Sequence, residues 1–129
     1  MARTKHTLLV LQALWELIRY DLVNVTLGFQ HICRQVARQP VASRMLAEKR
    51  ELLVCDAVGL AACFYYKPVQ CLQRSVVATR LLKKSGIKSC LVIGYRPTPF
   101  LSHAWVEVDG RVVNDSPVYK ERLHVLCTF

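Results

Sequence analysis

Six cysteines, four histidines and nine Asp or Glu residues are the groups in this 129-residue chain that could do nucleophilic or acid–base chemistry. Position singles out one of each. Cys71 falls in the first turn of a helix expected from about Pro68 to Lys84, where the positive end of the helix dipole favours a thiolate. No Asp or Glu occurs from Ala57 to Val106, whereas seven Lys or Arg do, so the thiol sits in a uniformly basic stretch. His103 opens one strand and Asp115 closes the strand that follows. A thiolate, an imidazole and a carboxylate that orients the imidazole are the parts of a cysteine nucleophile mechanism. The remaining thiols, Cys33, Cys55, Cys63, Cys90 and Cys127, have no His and Asp in matching positions and read as core residues. His6, His31 and His124 read as surface or packing residues. His31-Ile-Cys33 offers two metal ligands, and two ligands do not make a site.

The elements that must position these groups follow from the pattern around them. Asp109-Gly110 between His103–Val108 and Arg111–Asn114 is a strong hairpin signal. A two-residue turn would pair Val108 with Arg111 and send Asp115 through the opposite face of the sheet. A three-residue loop, Val108-Asp109-Gly110, with Gly110 left-handed in a G1 bulge, pairs Glu107 with Arg111 and Trp105 with Val113. His103 then stands directly opposite Asp115, and opposite charges face each other across the strands. The bulged register is therefore the expected one. Cys90–Tyr95 reads as a further strand, Arg96–Pro99 as a loop, and Leu123–Phe129 as a last short strand. Ser85-Gly86 is the expected stop of the central helix. Its pairs Leu72/Val76 and Val77/Leu81 point to different sides, as suits a helix in the middle of the fold.

Upstream, the first 66 residues contain two Gly and one Pro and read as three or four helices. Breaks are expected at Asn24–Gly28 and Gln39–Pro40, and the longest helix over Ala47–Tyr66. Leu8, Leu11, Trp15, Ile18 and Leu22 recur every three or four positions, the period of an amphipathic helix lying on a core, with Gln12, Glu16 and Arg19 on another face. Lys83, Lys84 and Lys88 read as a solvated helix end, and Trp105 as core or pocket wall. The class is α+β: an N-terminal helical layer (1–66), a central helix and a small antiparallel sheet (67–129), in one domain of 1–129.

Composition narrows the alternatives. An apolar share of 53% excludes disorder, and six Cys without a CxxC pair write neither a zinc ribbon nor a thioredoxin-type motif. Arg3 and Lys5 precede an apolar run, but Glu16 and Arg19 follow and no small-x-small cleavage site closes it. Uncharged stretches are too short to span a bilayer. A cytoplasmic protein with free thiols is expected. The net charge of +9 admits a basic module that binds nucleic acid, yet no aromatic-interleaved basic stretch supports it.

Cys71-Leu-Gln-Arg-Ser, Leu81-Leu-Lys-Lys-Ser-Gly-Ile, Leu91-Val-Ile-Gly, His103-Ala-Trp-Val-Glu and Gly110-Arg-Val-Val-Asn-Asp115 occur in that order. This string resembles the leader peptidases of lasso peptide biosynthesis, transglutaminase-like members of the papain-type cysteine protease superfamily. The resemblance covers roughly Lys67 to Asp115. It implies Cys71 as nucleophile, His103 as general base and acid, Asp115 as third triad member, and neither metal nor cofactor. The implied substrate is a ribosomally made precursor peptide, in a bacterial cytoplasm. The chain leaves no room for the leader-binding domain of larger members and so resembles the split type. That type implies a separate leader-binding recognition protein and an asparagine-synthetase-like cyclase as partners. Papain-type enzymes place a Gln upstream of the Cys as oxyanion donor. Here Tyr65 stands six residues before Cys71 and Gln70 is adjacent, which leaves the backbone N–H of Cys71 as one donor and the second undetermined. The same triad can run transglutaminase-like acyl transfer, with an amine in place of water.

Overall fold

The computed structural model describes residues 2–41 and 48–129. Three helices occupy the first half: α1 (Ala2–Thr26), α2 (Phe29–Arg38) and α3 (Glu48–Phe64). α1 stops before Gly28, which takes φ 85°, and α2 stops where Gln39, ahead of Pro40, turns extended. Both breaks are where the sequence puts them. The expected first residue of the third helix, Ala47, lies outside the described residues.

The central helix α4 (Cys71–Lys84) begins three residues later than expected. Pro68, Val69 and Gln70 form an extended lead-in, and the Gln70 carbonyl accepts the Arg74 N–H at 3.0 Å. Cys71 is therefore the first helical residue. Beyond Gly86 (φ 85°) come β1 (Cys90–Pro97), β2 (Phe100–Val108), β3 (Arg111–Val112), the short helix α5 (Val118–Arg122) and β4 (His124–Thr128). They form one antiparallel sheet of order β3-β2-β1-β4. The expected loop at Arg96–Pro99 shrinks to Thr98-Pro99, because Arg96 and Pro97 continue β1 and pair with Leu101 and Phe100. The molecule is α+β, as the sequence indicates.

α4 runs through the middle. Val77, Ala78, Leu81 and Leu82 pack with Leu9, Ala13 and Leu17 of α1, Val54, Ala57, Val58 and Ala61 of α3, and Val106 of β2. Val76 packs with Tyr20, Ile32, Val36, Leu91, Ile93 and Ala104. The other side of the sheet carries a smaller cluster of Val92, Trp105 and Leu123. Burial of this apolar surface is the main drive to fold.

Two expectations about the helices are corrected. The stripe Leu8, Leu11, Trp15, Ile18 and Leu22 does not lie on the core; it faces solvent. α1 is apolar on both sides, and the side carrying Leu9, Ala13, Leu17 and Tyr20 is the one that packs. Period alone cannot choose between two apolar stripes. Glu16 also points inward, where its carboxylate accepts Arg80 Nε and Lys84 Nζ, each at 2.7 Å. Nor are the lysines all solvated: Lys83 is buried and its Nζ donates to the Val36 carbonyl at 2.5 Å.

The hairpin is corrected as well. Val108 pairs with Arg111 and Glu107 with Val112, so the connection is the two-residue turn and no bulge is present at Gly110. Asp109 and Gly110 have φ 51° and 76°, the type I′ signature. Asp tolerates the left-handed region well enough for this tighter turn, whose twist matches the strands.

Burial pushes the Glu16 carboxyl up, but hydrogen bonds and charges from Arg80 and Lys84 outweigh that and hold it below its ordinary value of 4.5. A lowered folded value contributes stability that is present above the unfolded value and lost as pH falls through the folded one. Urea unfolding on an acid series should therefore show a loss below pH 4.5 that Glu16→Gln flattens. At neutral pH the same substitution should cost about 2 kcal/mol, less than a fully buried pair because Lys84 reaches solvent.

Candidate active site

As the first residue of α4, Cys71 has a backbone N–H without an intrahelical partner, as does Leu72. No side chain caps this end. The half-buried thiol-bearing residue packs against the cluster of Tyr20, Val76, Ile93 and Ala104. A cleft of about 280 Å³ opens beside it, lined by Gln70 and Leu72 on either side of Cys71 and by Tyr20, Asp21, Asn24 and Lys67. The acid-free neighbourhood of the sequence is not acid-free in space. α1 brings Asp21 to the cleft, where Lys67 Nζ donates to it at 2.9 Å and the Tyr65 hydroxyl also donates. Burial raises the Asp21 carboxyl, and these two hydrogen bonds bring it below its usual value. Tyr65, at the position of the papain-type Gln, is thus bonded to Asp21 and to the Leu17 carbonyl (3.3 Å), a structural tie between α1 and the end of α3.

His103 and Asp115 meet: Nε2 and the carboxylate Oδ2 are 2.7 Å apart. Oδ1 of the same carboxylate accepts the Ser116 N–H at 2.7 Å, so both oxygens are fixed. With Nε2 turned to Asp115, Nδ1 is the imidazole nitrogen left to act as base. The ring stacks on Tyr119 of α5 (centroids 3.8 Å apart) and lies near-parallel to Trp105 at 6.4 Å. Trp105 is fully buried, core and not pocket wall, and its Nε1 donates to Glu107 at 2.8 Å. Among the described residues no hydrogen bond joins the Cys71 thiol to His103. The structure thus brings two of the three residues into contact and sets the third at the start of the helix that packs on the Ala104 face of the sheet, while the His103 ring stacks with Trp105 on the other face.

The His103–Asp115 contact forms despite the register. β3 ends at Val112, Val113 N–H still bonds the Val106 carbonyl at 3.0 Å, and then the chain leaves the ladder. The Asn114 side-chain oxygen takes the Val106 N–H at 2.8 Å, substituting for the backbone carbonyl a regular strand would offer. Bends at Asn114 and Asp115 then bring the carboxylate round to His103. Asn114 Nδ2 also donates to Ser75 Oγ (3.1 Å), and that hydroxyl donates to the Ala104 carbonyl (3.2 Å). Ser75 lies one helical turn after Cys71, so this bridge ties the cysteine-bearing helix to the strand that carries His103 and to the residue before Asp115. Sequence reasoning missed Asn114, Ser75 and Tyr119. Only the adjacency of Asn114 to Asp115 was visible, and it carries no signal by itself.

Gly94, paired with His103 across β1 and β2, completes the setting. A Cβ there would lie 2.6 Å from Trp105 Cη2 and 3.1 Å from Leu123 Cβ, so only Gly lets the indole lie against the strand at this point.

Of the other cysteines only Cys33 is buried, and Cys63 is exposed near the end of α3, which corrects its reading as a core thiol. Burial pushes Cys33 up to about 11 and Cys55 up to about 12, leaving both as weakly nucleophilic thiols. His31 bonds Gln35 at 3.0 Å, and no cluster of three metal-ligating side chains occurs among the described residues. No described helix is long and apolar enough to cross a membrane.

Comparison with known proteins adds a family. The model described as the transglutaminase-like superfamily matches residues 14–128. The microcin J25-processing protein McjB of Escherichia coli is 46% identical over 56 residues, which is 43% of this chain and 27% of that protein. The aligned stretch thus spans about a quarter of its curated relative. No solved structure matches the chain.

Replacing Asn114 tests the bridge. Asn114→Ala leaves the Val106 N–H without its acceptor and the Ser75 oxygen without its donor, a loss of about 1–3 kcal/mol by urea unfolding. Asn114→Asp, which can accept from Val106 but cannot donate to Ser75 when ionised, should fall between wild type and Ala. Equal stability of all three would contradict the bridge.

Proposed function

This chain belongs to the transglutaminase-like superfamily, and from that premise we propose that it is a cysteine peptidase acting in lasso peptide maturation. Its substrate is a ribosomally made precursor, from which it removes the leader. The observation that supports this most is the His103–Asp115 hydrogen bond, held beside the helix that starts at Cys71. Similarity to a microcin J25-processing protein supports the maturation context.

In this reading the cleft at the start of α4 receives the residues flanking the cut. The Cys71 thiolate attacks the carbonyl carbon of the last leader residue, forming a carbon–sulfur bond and an oxyanion. The N–H groups of Cys71 and Leu72 are the nearest backbone donors to that oxygen. In this reading the attacking thiolate forms by transfer of the Cys71 thiol proton to His103 Nδ1. The tetrahedral intermediate collapses, the carbon–nitrogen bond breaks, and His103 Nδ1 delivers its proton to the departing amine of the core peptide. Water, deprotonated by the same nitrogen, then hydrolyses the thioester and frees the leader as a carboxylic acid. Asp115 holds the ring orientation and stabilises the imidazolium. The steps as written use no metal or cofactor. The freed core amine is the group that a lasso cyclase, resembling asparagine synthetase, would join into the macrolactam, all within the bacterial cytoplasm.

Cys71→Ala, His103→Ala and Asp115→Asn should each leave the fold intact, the first two abolishing cleavage and the third cutting turnover strongly, read by mass spectrometry of the precursor. Iodoacetamide inactivation should follow labelling of Cys71, while labelling of the exposed Cys63 and its replacement by Ser leave activity unchanged. Full activity of Cys71→Ala would overturn the reading. A product bearing a new amide bond in place of a free acid would instead identify acyl transfer.

The described helices α1 to α3 pack around α4, and we assign leader recognition to a second protein. Holding the precursor on such a partner raises the effective concentration of the scissile bond at Cys71. Cleavage by this chain alone should therefore be slow, and addition of the leader-binding partner should accelerate it by about 100-fold or more. Full-rate cleavage without any partner would count against the two-protein arrangement.

A further inference from the structure

The outward stripe of α1 has no partner in the fold. Leu8, Leu11, Trp15, Ile18, Leu22 and Val25 follow one another at intervals of three and four, and are from 42% (Ile18) to 85% (Val25) exposed. This alternation is the seam of a coiled coil, a surface suited to another helix of the same kind. We propose that α1 is a self-association surface through which two copies of this chain pair with their α1 helices antiparallel. Three observations favour a second copy. The spacing reads the same in both directions, so a two-fold axis between Trp15 and Ile18 sets Trp15 on Ile18, Leu11 on Leu22 and Leu8 on Val25 of the other copy. The six residues expose on the order of 650 Å², close to the roughly 800 Å² per partner of a standard interface. The charges that border the middle of the stripe are already held within their own chain, Arg19 by Gln35 (2.8 Å) and Asp21 by Lys67 (2.9 Å), and the exposed Lys5 lies at its end. The +9 charge opposes pairing at long range, and salt screens that opposition.

Sedimentation of the full chain across micromolar to millimolar concentration tests this. The expected result is twice the chain mass at high concentration, with association strengthened by salt. Emission of Trp15 should shift to the blue on pairing, against a constant Trp105 that is already buried. Leu11→Glu should weaken pairing by about 100-fold with an unchanged melting curve, since it buries a carboxylate only in the dimer. A single-chain mass at every concentration would overturn the proposal. So would a dimer indifferent to Leu11→Glu and Trp15→Glu, or a stripe that binds only when anionic vesicles or another protein are added.

Discussion

A hydroxyl one turn into the central helix carries the geometry of the candidate site. Ser75 is fully buried, accepts from Asn114 and donates to the Ala104 carbonyl. Three segments far apart in the chain thereby share one small polar centre: the helix that begins at Cys71, the strand of His103, and the turn before Asp115. In an apolar core each of these groups must be paired or cost free energy, so the network admits few relative positions of helix and hairpin. Apolar packing around it fills space without fixing register, and the hydrogen bonds supply the directional constraint that packing lacks.

The same network explains what was and was not legible in the sequence. The Gly stops and the Asp109-Gly110 turn rest on local rules and are present in the structure, as is the closeness of His103 to Asp115, while the central helix starts three residues later than its Pro68 predicts. The register behind that closeness was read wrongly. Pairing arithmetic assumes that a strand continues to its last plausible residue, and demands a bulge to put His103 opposite Asp115. β3 instead stops after two residues, and a side chain, Asn114, takes over the ladder. A substitution of backbone by side chain also depends on Ser75, 39 residues away, so no local pattern reports it. The inward face of α1 was misread for a related reason. Both faces are apolar, and the choice is made by Ala13 and by the fit of Glu16 to Arg80 and Lys84 on another helix.

Electrostatics shows the same dependence on distant residues. The chain is strongly basic, and along the sequence Cys71 lies in a stretch without a carboxylate. Folding delivers two carboxylates from α1 into that stretch. Glu16 meets Arg80 and Lys84 in the second half of α4, and Asp21 meets Tyr65 and Lys67 in the segment between α3 and α4. The charges nearest the core are thus paired, and α1 is fastened both to α4 and to the segment that leads into it. Local sequence charge around a nucleophile is for this reason a poor guide to its surroundings.

The imidazole depends most on the segment after β3, which periodicity left unassigned. Asp115 is aligned by the Ser116 N–H, the Ser116 hydroxyl accepts the Val118 N–H at 3.3 Å, and Tyr119 on the next turn lies over the ring. Leu123 then fills the space beside Trp105, and the indole keeps its place alongside the ring only because Gly94 has no Cβ. Each constraint acts on a different degree of freedom: the carboxylate fixes rotation about the ring edge, and the two aromatics fix its plane. An orienting acid alone would leave the ring free to tilt, and stacking alone would leave either nitrogen free to face outward. Together they leave Nδ1 as the one ring nitrogen not committed within the fold, which is the condition a general base must meet before any substrate arrives.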